Sequence, residues 1–465
     1  MRTLRSVAPS REQLKIFSRT KAGVEIIRGA AGSGKTTTAL LRLKSQIGLF
    51  LARRKRETDS RPVRVLVLTY NRTLRGYIDA LTEEQAAHYS GVNLQIETFG
   101  RWAMGALGNP RVVDDIERKN TLMVLAKNLR QPSEFIVNEA EYVMERFLPS
   151  ELDRYISARR DGRGASPRMD RQHRQTLINE VIVPYQDWKL KRGGLDWNDL
   201  ATQLIKSKIP TPYDVIVADE AQDFSANQVR AIANQLAPDY CLTFVLDSAQ
   251  RIYARGFTWH EVGITMRPEQ IHHLKENFRN TIEIAQLAAS LISDLPIDDD
   301  GTIPDFTSCT RHGPVPLVLR GKFNTQLDAA IDYVEKEVKL ADESVVFLHP
   351  LGWFGQLKRA LNRSGLPFVE ITRRSEWPQG SENIALSTFH SAKGLEFDHV
   401  IILGLNAEVT PHGDEEDDDR LIVLRKLVAM GIGRARLSVV IGYKPEEASK
   451  LITYLDPSTY RAIDL

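Results

Sequence analysis

Cysteine is nearly missing: Cys241 and Cys309 are the only two in 465 residues. Two thiols cannot build a disulfide framework, and these lack metal-ligand spacing. No zinc site is expected, and the usage fits a reducing cytosol. Long apolar runs are missing too. No stretch of about 18 apolar residues occurs, and the opening MRTLRSVAPSREQLKIF has no apolar signal-peptide core. A soluble, cytoplasmic protein is expected. Net charge is small, with 62 Lys+Arg against 60 Asp+Glu. That excludes a histone-like coat on nucleic acid but leaves room for a local basic groove. There is no internal repeat and no long low-complexity tract. With 42% hydrophobic and 26% charged residues, the chain has globular composition, and its length allows about three compact units.

What is present is a rhythm of short β-branched runs alternating with helical patterns: GVEIIRG, VRVLVLTY, YDVIVADE, CLTFVLD, VPLVLR, SVVFLHP, NIALSTFH, HVIILGL and LSVVIGY. Strands apolar almost throughout, separated by crossovers long enough for helices, predict an α/β protein with more than one parallel sheet. The rhythm stops between Asn109 and Lys191, where apolar residues recur at three- and four-residue spacings over Ile116 to Leu129 and Ser133 to Phe147. This reads as an inserted helical subdomain. Within it Arg159, Arg160, Arg163, Arg168, Arg171 and Arg174 flank a Gly/Pro-containing stretch, either an exposed flexible loop or a contact to nucleic acid or a partner. The basic run Arg53 to Arg56 and the acidic run Asp414 to Asp419 are expected as solvated loops.

Chemistry enters at IIRGAAGSGKTTTAL, where Gly29-x4-Gly34-Lys35-Thr36 follows an apolar strand and opens a helix. In that context Gly29, Ala30, Ala31, Gly32, Ser33 and Gly34 form a loop whose backbone N–H groups can curl around phosphate at a helix N-terminus, with Thr37 next in line. Lys35 would reach the β- and γ-phosphates of ATP, and Thr36 would ligate Mg²⁺. YDVIVADEAQDF runs a second apolar strand into Asp219 and Glu220. The first carboxylate is placed to hold Mg²⁺, and the second to accept a proton from attacking water. CLTFVLDSAQRIY ends a third strand at Asp247 with Gln250 beyond it, a neutral amide suited to orienting water or sensing the γ-phosphate.

Taken in order, these segments resemble superfamily 1 DNA helicases of the UvrD/PcrA/Rep type, over nearly the whole chain. Gln13 in SREQLKIF resembles that family's adenine-reading glutamine, and VLVLTYNRTL and LDWNDL match further motifs. LKENFRNTIEIAQLA resembles its N-[YF]-R motif. The resemblance implies Phe278 against adenine and Arg279 at the γ-phosphate. IALSTFHSAKGLEFDHVIIL matches with His390, Lys393, Gly394, Leu395, Glu396 and Phe397, and Glu396 is implied at the ribose. LRKLVAMGIGRARLSVVIGY places Arg434 as an arginine finger. The implied fold is two RecA-like parallel-sheet lobes: residues 1–108 and 191–273 for the first, 109–190 for its helical insertion, and 274–465 for the second. The implied activity is ATP- and Mg²⁺-dependent movement 3′ to 5′ on single-stranded DNA. Tyr70, Asn71, Tyr253, Thr388 and His390 are the implied strand contacts. Trp102, Phe257 and Trp259 lie near the same motifs but suit core packing.

The chain departs from the family pattern at Gly100 and Arg101, where His is usual, at Arg255 in place of an aromatic, and at Ala429 and Gly433 in place of Tyr and Thr. These changes spare the phosphate chemistry and fall on the DNA grip. In addition, SVVFLHPLGWFGQLKRALNRSGLPFVEI, a strand-helix-strand unit, leads through TRRSEWPQGSEN straight into IALSTFH. Relatives insert a large helical accessory subdomain there. The shortened form resembles UvrD-like subunits of anti-phage systems such as Gabija, in which a separate nuclease cuts. Two readings follow: a translocase or helicase working with a partner such as a nuclease in repair or anti-phage defence, or a nucleotide-switched DNA-sensing subunit that licenses a partner enzyme. A phosphate-loop kinase leaves Arg279, HSAKGLEF and Arg434 without a role. No separate carboxylate/Lys set points to an intrinsic nuclease.

Overall fold

The computed structural model describes residues 9–18, 21–29, 33–69, 75, 91–127, 129–160, 167–247, 257–274, 277, 279–295, 309–372, 377–378, 380–413 and 418–465. Of the expected site residues, Ala30, Ala31, Gly32, Tyr70, Asn71, Gln250, Tyr253 and Phe278 lie outside them, as do Arg163, Arg255 and residues 414–417.

The first sheet contains β1 (Gly23–Gly29), β2 (Val63–Thr69), β3 (Val92–Thr98), β4 (Tyr213–Ala218), β5 (Leu236–Asp247) and β6 (Ile271–Leu274), in the order β3-β2-β4-β5-β1-β6. Every pairing is parallel, so all six carboxyl ends emerge along one edge. That edge is where open α/β sheets bind ligands. The strands carrying the three nucleotide motifs, β4, β5 and β1, are adjacent, and the register sets Gly29 opposite Asp247. The helix Lys35–Arg56 buries Ala39, Leu40, Leu43, Ile47 and Phe50 against the sheet. Arg53 to Arg56 form its last turn and not a loop. Cations there meet the negative end of the helix dipole, and Arg54 also pairs with Asp214 at 2.6 Å.

The second sheet contains β7 (Leu317–Arg320), β8 (Val345–Leu348), β9 (Phe368–Ile371), β10 (Ile384–Ser387), β11 (Phe397–Ile402), β12 (Ala435–Tyr443) and β13 (Arg461–Asp464), in the order β13-β7-β12-β11-β8-β10-β9. It too is parallel throughout. Residues 372–383 alone connect β9 to its neighbour β10. The structure is therefore α/β with two parallel-sheet lobes.

Between β3 and β4 the helices Asp115–Ala126, Ser133–Arg146, Arg171–Leu177 and Val183–Lys191 build a core of their own around Leu122, Ile136, Val143, Tyr155, Val181 and Tyr185. The first lobe grips this bundle through Asn227, whose amide donates to the carbonyls of Met144 (2.9 Å) and Phe147 (3.2 Å). Two of the clustered arginines turn inward. Arg160 pairs with the fully buried Glu139 at 2.7 Å, and Arg174 donates to the carbonyls of Tyr155 and Ala158 at 2.9 and 2.7 Å. A buried carboxylate left without a counter-charge would be strongly destabilising, so these two side chains brace the bundle instead of lying in a loose surface loop. Arg159, Arg168 and Arg171 are exposed. No helix among the described residues is long and apolar enough to cross a membrane.

Candidate nucleotide cleft and nucleic-acid face

At the end of β1 the backbone has room only for glycine. A Cβ on Gly29 would run into Ser33 Oγ and lie 2.9 Å from the Leu274 carbonyl oxygen. Gly34 has φ +73°, and a Cβ there would collide with Gln13 Nε2. Gln13 sits in the capping box of Ser10 and donates to the carbonyls of Ser33 and Gly34 at 3.3 and 3.4 Å, bracing the loop from outside. Lys35 Nζ donates to the Gly29 carbonyl at 2.7 Å, folding the ammonium back toward the strand end.

Thr36, in the first turn of the next helix, donates through Oγ1 to Asp219 Oδ2 at 2.9 Å across 183 positions of sequence. Asp219 and Glu220 are both buried, and Glu220 holds a left-handed conformation, φ +53°, that non-glycine residues rarely adopt. Burial, with the adjacent Glu220 charge, pushes the Asp219 carboxyl up to about 7. Burial also works to raise Glu220, but Lys393, Arg434 and Lys35 outweigh it and hold that carboxyl below its ordinary value. Glu220 is thus a carboxylate surrounded by cations, while Asp219 has less positive charge near it and lies beside a hydroxyl. Hydroxyl and carboxylate oxygens are the donors Mg²⁺ takes, and a phosphate loop with its lysine lies alongside. The residues present fit ATP and its metal, and Thr36 and Asp219 are the side chains that would hold the metal.

The second lobe closes this cleft. Lys393 Nζ reaches across to Asp223 Oδ2 at 2.5 Å, with both side chains at most 3% exposed. Arg434 is buried near Glu220 and Glu396. Arg279 belongs with the second lobe, because the neighbouring Asn280 donates to the carbonyls of Gly433 (3.2 Å) and Ala435 (2.7 Å). Its guanidinium pairs with Glu396 and also donates to the Gly433 carbonyl at 3.3 Å. Burial would raise the Glu396 carboxyl, but Arg279, Arg434 and Arg436 bring it below its usual range. The residues expected at γ-phosphate and ribose therefore hold each other here.

No spacing rule pointed to the Lys393–Asp223 bridge. Lys393→Met takes the ammonium away from a buried carboxylate and should cost about 3–5 kcal/mol of stability, whereas adding Asp223→Leu removes that charge and should recover most of it. Urea denaturation of the two variants checks this. Hydrolysis should stay low in the double variant, because Glu220 has lost its strongest counter-charge.

Further candidate residues follow the carboxyl ends of β3 in the first sheet and of β8 and β10 in the second. Thr388 and His390 follow β10 and are half-buried. Gly100, where the family pattern has His, is covered by the ring of Trp197: a Cβ there would lie 3.2 Å from Trp197 Cζ3, and the indole remains 43% exposed. The departure at Gly100 makes room for that ring. Trp102 is core, with Nε1 donating to Tyr213 Oη at 3.1 Å, and Phe257 and Trp259 pack against the same core. Beside Thr388, His349 Nδ1 accepts the amides of Leu351 (3.1 Å) and Trp353 (3.2 Å). Burial lowers the His349 imidazole to about 4. The unfolded imidazole takes a proton near 6.5, so this contribution to stability is whole above about 6.5 and is lost as pH falls toward about 4. The urea midpoint should fall between about pH 7 and pH 5, and His349→Asn, whose amide oxygen can accept the same N–H groups, should flatten that slope.

A parallel-sheet phosphate-loop nucleotide cleft closed by arginines from a second parallel-sheet lobe defines a two-lobed P-loop NTPase. The family model of the UvrD/REP helicase N-terminal domain matches residues 10–261, and that of the UvrD-like helicase C-terminal domain matches residues 355–446. The chain belongs to the UvrD/Rep helicase family. Among curated relatives, ATP-dependent DNA helicase UvrD2 of Mycobacterium tuberculosis is 24% identical over 303 residues, 62% of this chain and 40% of that protein. An ATP-dependent helicase/nuclease component from Lactococcus lactis is 24% identical over 249 residues, 46% of this chain and 20% of that protein. A probable DNA helicase of Mycoplasma pneumoniae is 22% identical over 456 residues, 89% of this chain and 79% of that protein. The chain thus spans less than half the length of UvrD2.

Proposed function

We propose that this protein is an ATP- and Mg²⁺-dependent motor that moves 3′ to 5′ along single-stranded DNA in the cytoplasm. The observation that carries the reading is the convergence of Lys35, Thr36, Asp219 and Glu220 from one lobe with Lys393 and Arg434 from the other around one buried cleft. Bound ATP·Mg²⁺ supplies the phosphoryl group to be cleaved. Lys35 binds its phosphates, Thr36 and Asp219 orient the metal, Glu220 takes the proton of the attacking water, and Arg279 and Arg434 stabilise charge only when the lobes are closed. Gln13, Phe278 and Glu396 take the base and ribose, Gln250 senses the γ-phosphate, and Tyr70, Asn71, Tyr253, Thr388 and His390 hold the strand. The lobes divide as 1–108 with 191–273 and 274–465, with 109–190 inserted.

A protein partner such as a nuclease, in DNA repair or anti-phage defence, completes the proposal. The short link between β9 and β10 leaves unwinding without an accessory module, and the name of the Lactococcus relative joins helicase to nuclease. That same link favours a second reading, a nucleotide-switched DNA sensor that licenses its partner without processive steps. Strand displacement measured beside ATP hydrolysis, on duplexes with 3′ or 5′ tails, separates them. Displacement from 3′ tails supports the motor. Strand-stimulated hydrolysis with neither displacement nor translocation supports the switch, and no hydrolysis with any strand or partner refutes the motor.

A further inference from the structure

Trp353 is 56% exposed and Leu351 46%, two residues apart in a turn at the end of β8. Single exposed hydrophobics are ordinary on protein surfaces, but this pair is held out by a built turn. The His349 amide donates to the Ser387 carbonyl at 3.1 Å, tying the start of the turn to the end of β10. His349 Nδ1 takes both the Leu351 and Trp353 amides, which fixes the backbone on either side of Gly352. Gly352 has φ +73° and presses on Thr388, where a Cβ would come within 3.3 Å of Thr388 Cγ2. Phe354, 6% exposed, anchors the far side in the second lobe's core. The His349 and Trp353 rings lie 5.8 Å apart and 30° from parallel. A neutral imidazole buried under the turn supports this geometry, since a protonated one could not accept two amides.

Together these contacts commit the polar groups of the turn to rigidity and leave the indole more than half exposed one residue beyond Gly352, the residue that packs against Thr388. Base stacking on an aromatic face suits such a residue, because every base offers a π-face and a preorganised ring loses little freedom on binding. We infer that Trp353 is a stacking platform for a nucleobase of the bound single strand, in contact with the stretch of strand that passes Thr388. This rests on the proposed strand-binding function and assigns it a residue outside the family's motif matches.

The test is the affinity of the whole chain for a fluorescein-labelled oligothymidylate, by anisotropy, for wild type and for Trp353→Ala, Trp353→Leu and Trp353→Phe. Loss of a stacked base should weaken binding roughly 5- to 100-fold in the Ala and Leu variants. Phe, which restores a ring, should stay within about threefold of wild type. A merely structural side chain would rank Leu with Phe. Ultraviolet crosslinking of wild type to an oligonucleotide carrying 5-iododeoxyuridine, mapped by mass spectrometry, should mark Trp353. Wild-type affinity in Trp353→Leu, or equal losses in all three variants, overturns the inference while leaving strand binding intact. Failure of the wild-type chain to bind any strand overturns the proposed function, and the platform with it.

Discussion

Glu220→Gln should bind ATP as wild type does yet hydrolyse it roughly 10²- to 10⁴-fold more slowly, the range a positioned general base supplies. The substitution keeps the size and planarity of the side chain, its contact with Gln222 and the left-handed turn that aims it. What it removes is the acceptor for the proton of water. The three cations that hold Glu220 below its ordinary value suit it to that proposed role: a buried carboxyl without Lys393, Arg434 and Lys35 would be driven toward its neutral form. Lys35→Ala should abolish hydrolysis differently, by losing the phosphate contact itself. Stopped-flow binding of a fluorescent ATP analogue distinguishes the two, with Lys35→Ala losing affinity and Glu220→Gln retaining it. Both should unfold at wild-type urea concentrations. A Glu220→Gln variant that hydrolysed ATP normally would remove the base from the account.

Arg434→Lys should cost roughly 10³- to 10⁵-fold in hydrolysis, the contribution of an arginine finger. Lysine retains the charge that Glu220 and Glu396 require but not the planar fork that spans two phosphate oxygens. Because Arg434 is 2% exposed, alanine would confuse lost catalysis with a destabilised core, and lysine is the cleaner probe. Its loss should appear in single-turnover hydrolysis with nucleotide affinity nearly unchanged, since the finger acts in the transition state. Equal losses in affinity and rate would make Arg434 an ordinary binding residue.

The nine apolar runs read as buried parallel strands are β1, β2, β4, β5, β7, β8, β10, β11 and β12. The strands that criterion passes over are β3, β6, β9 and β13, and these are the four edges of the two sheets. Their sequences, VNLQIET, IHHL, FVEI and RAID, mix polar with apolar residues and are only partly buried. An edge strand packs on fewer sides, so continuous hydrophobicity is not required of it. FVEI entered only through the family pattern of a strand-helix-strand unit. The nucleotide site was legible because phosphate binding constrains local sequence: glycines at fixed offsets, a lysine at a helix start, carboxylates at a strand end. The Lys393–Asp223 bridge, the inward turn of Arg160 and Arg174, and the ring of Trp197 over Gly100 were not legible. Each depends on which distant segments the fold brings together, and no local spacing records that.

In the proposed cycle, closure of two lobes around ATP moves a single strand. Displacement of streptavidin from biotinylated oligonucleotides tests it directly, with the bare chain, ATP and Mg²⁺. Movement 3′ to 5′ predicts rapid release from the 5′-biotinylated strand, little from the 3′-biotinylated one, and none for Glu220→Gln. Strand-stimulated hydrolysis with no release from either end would contradict it.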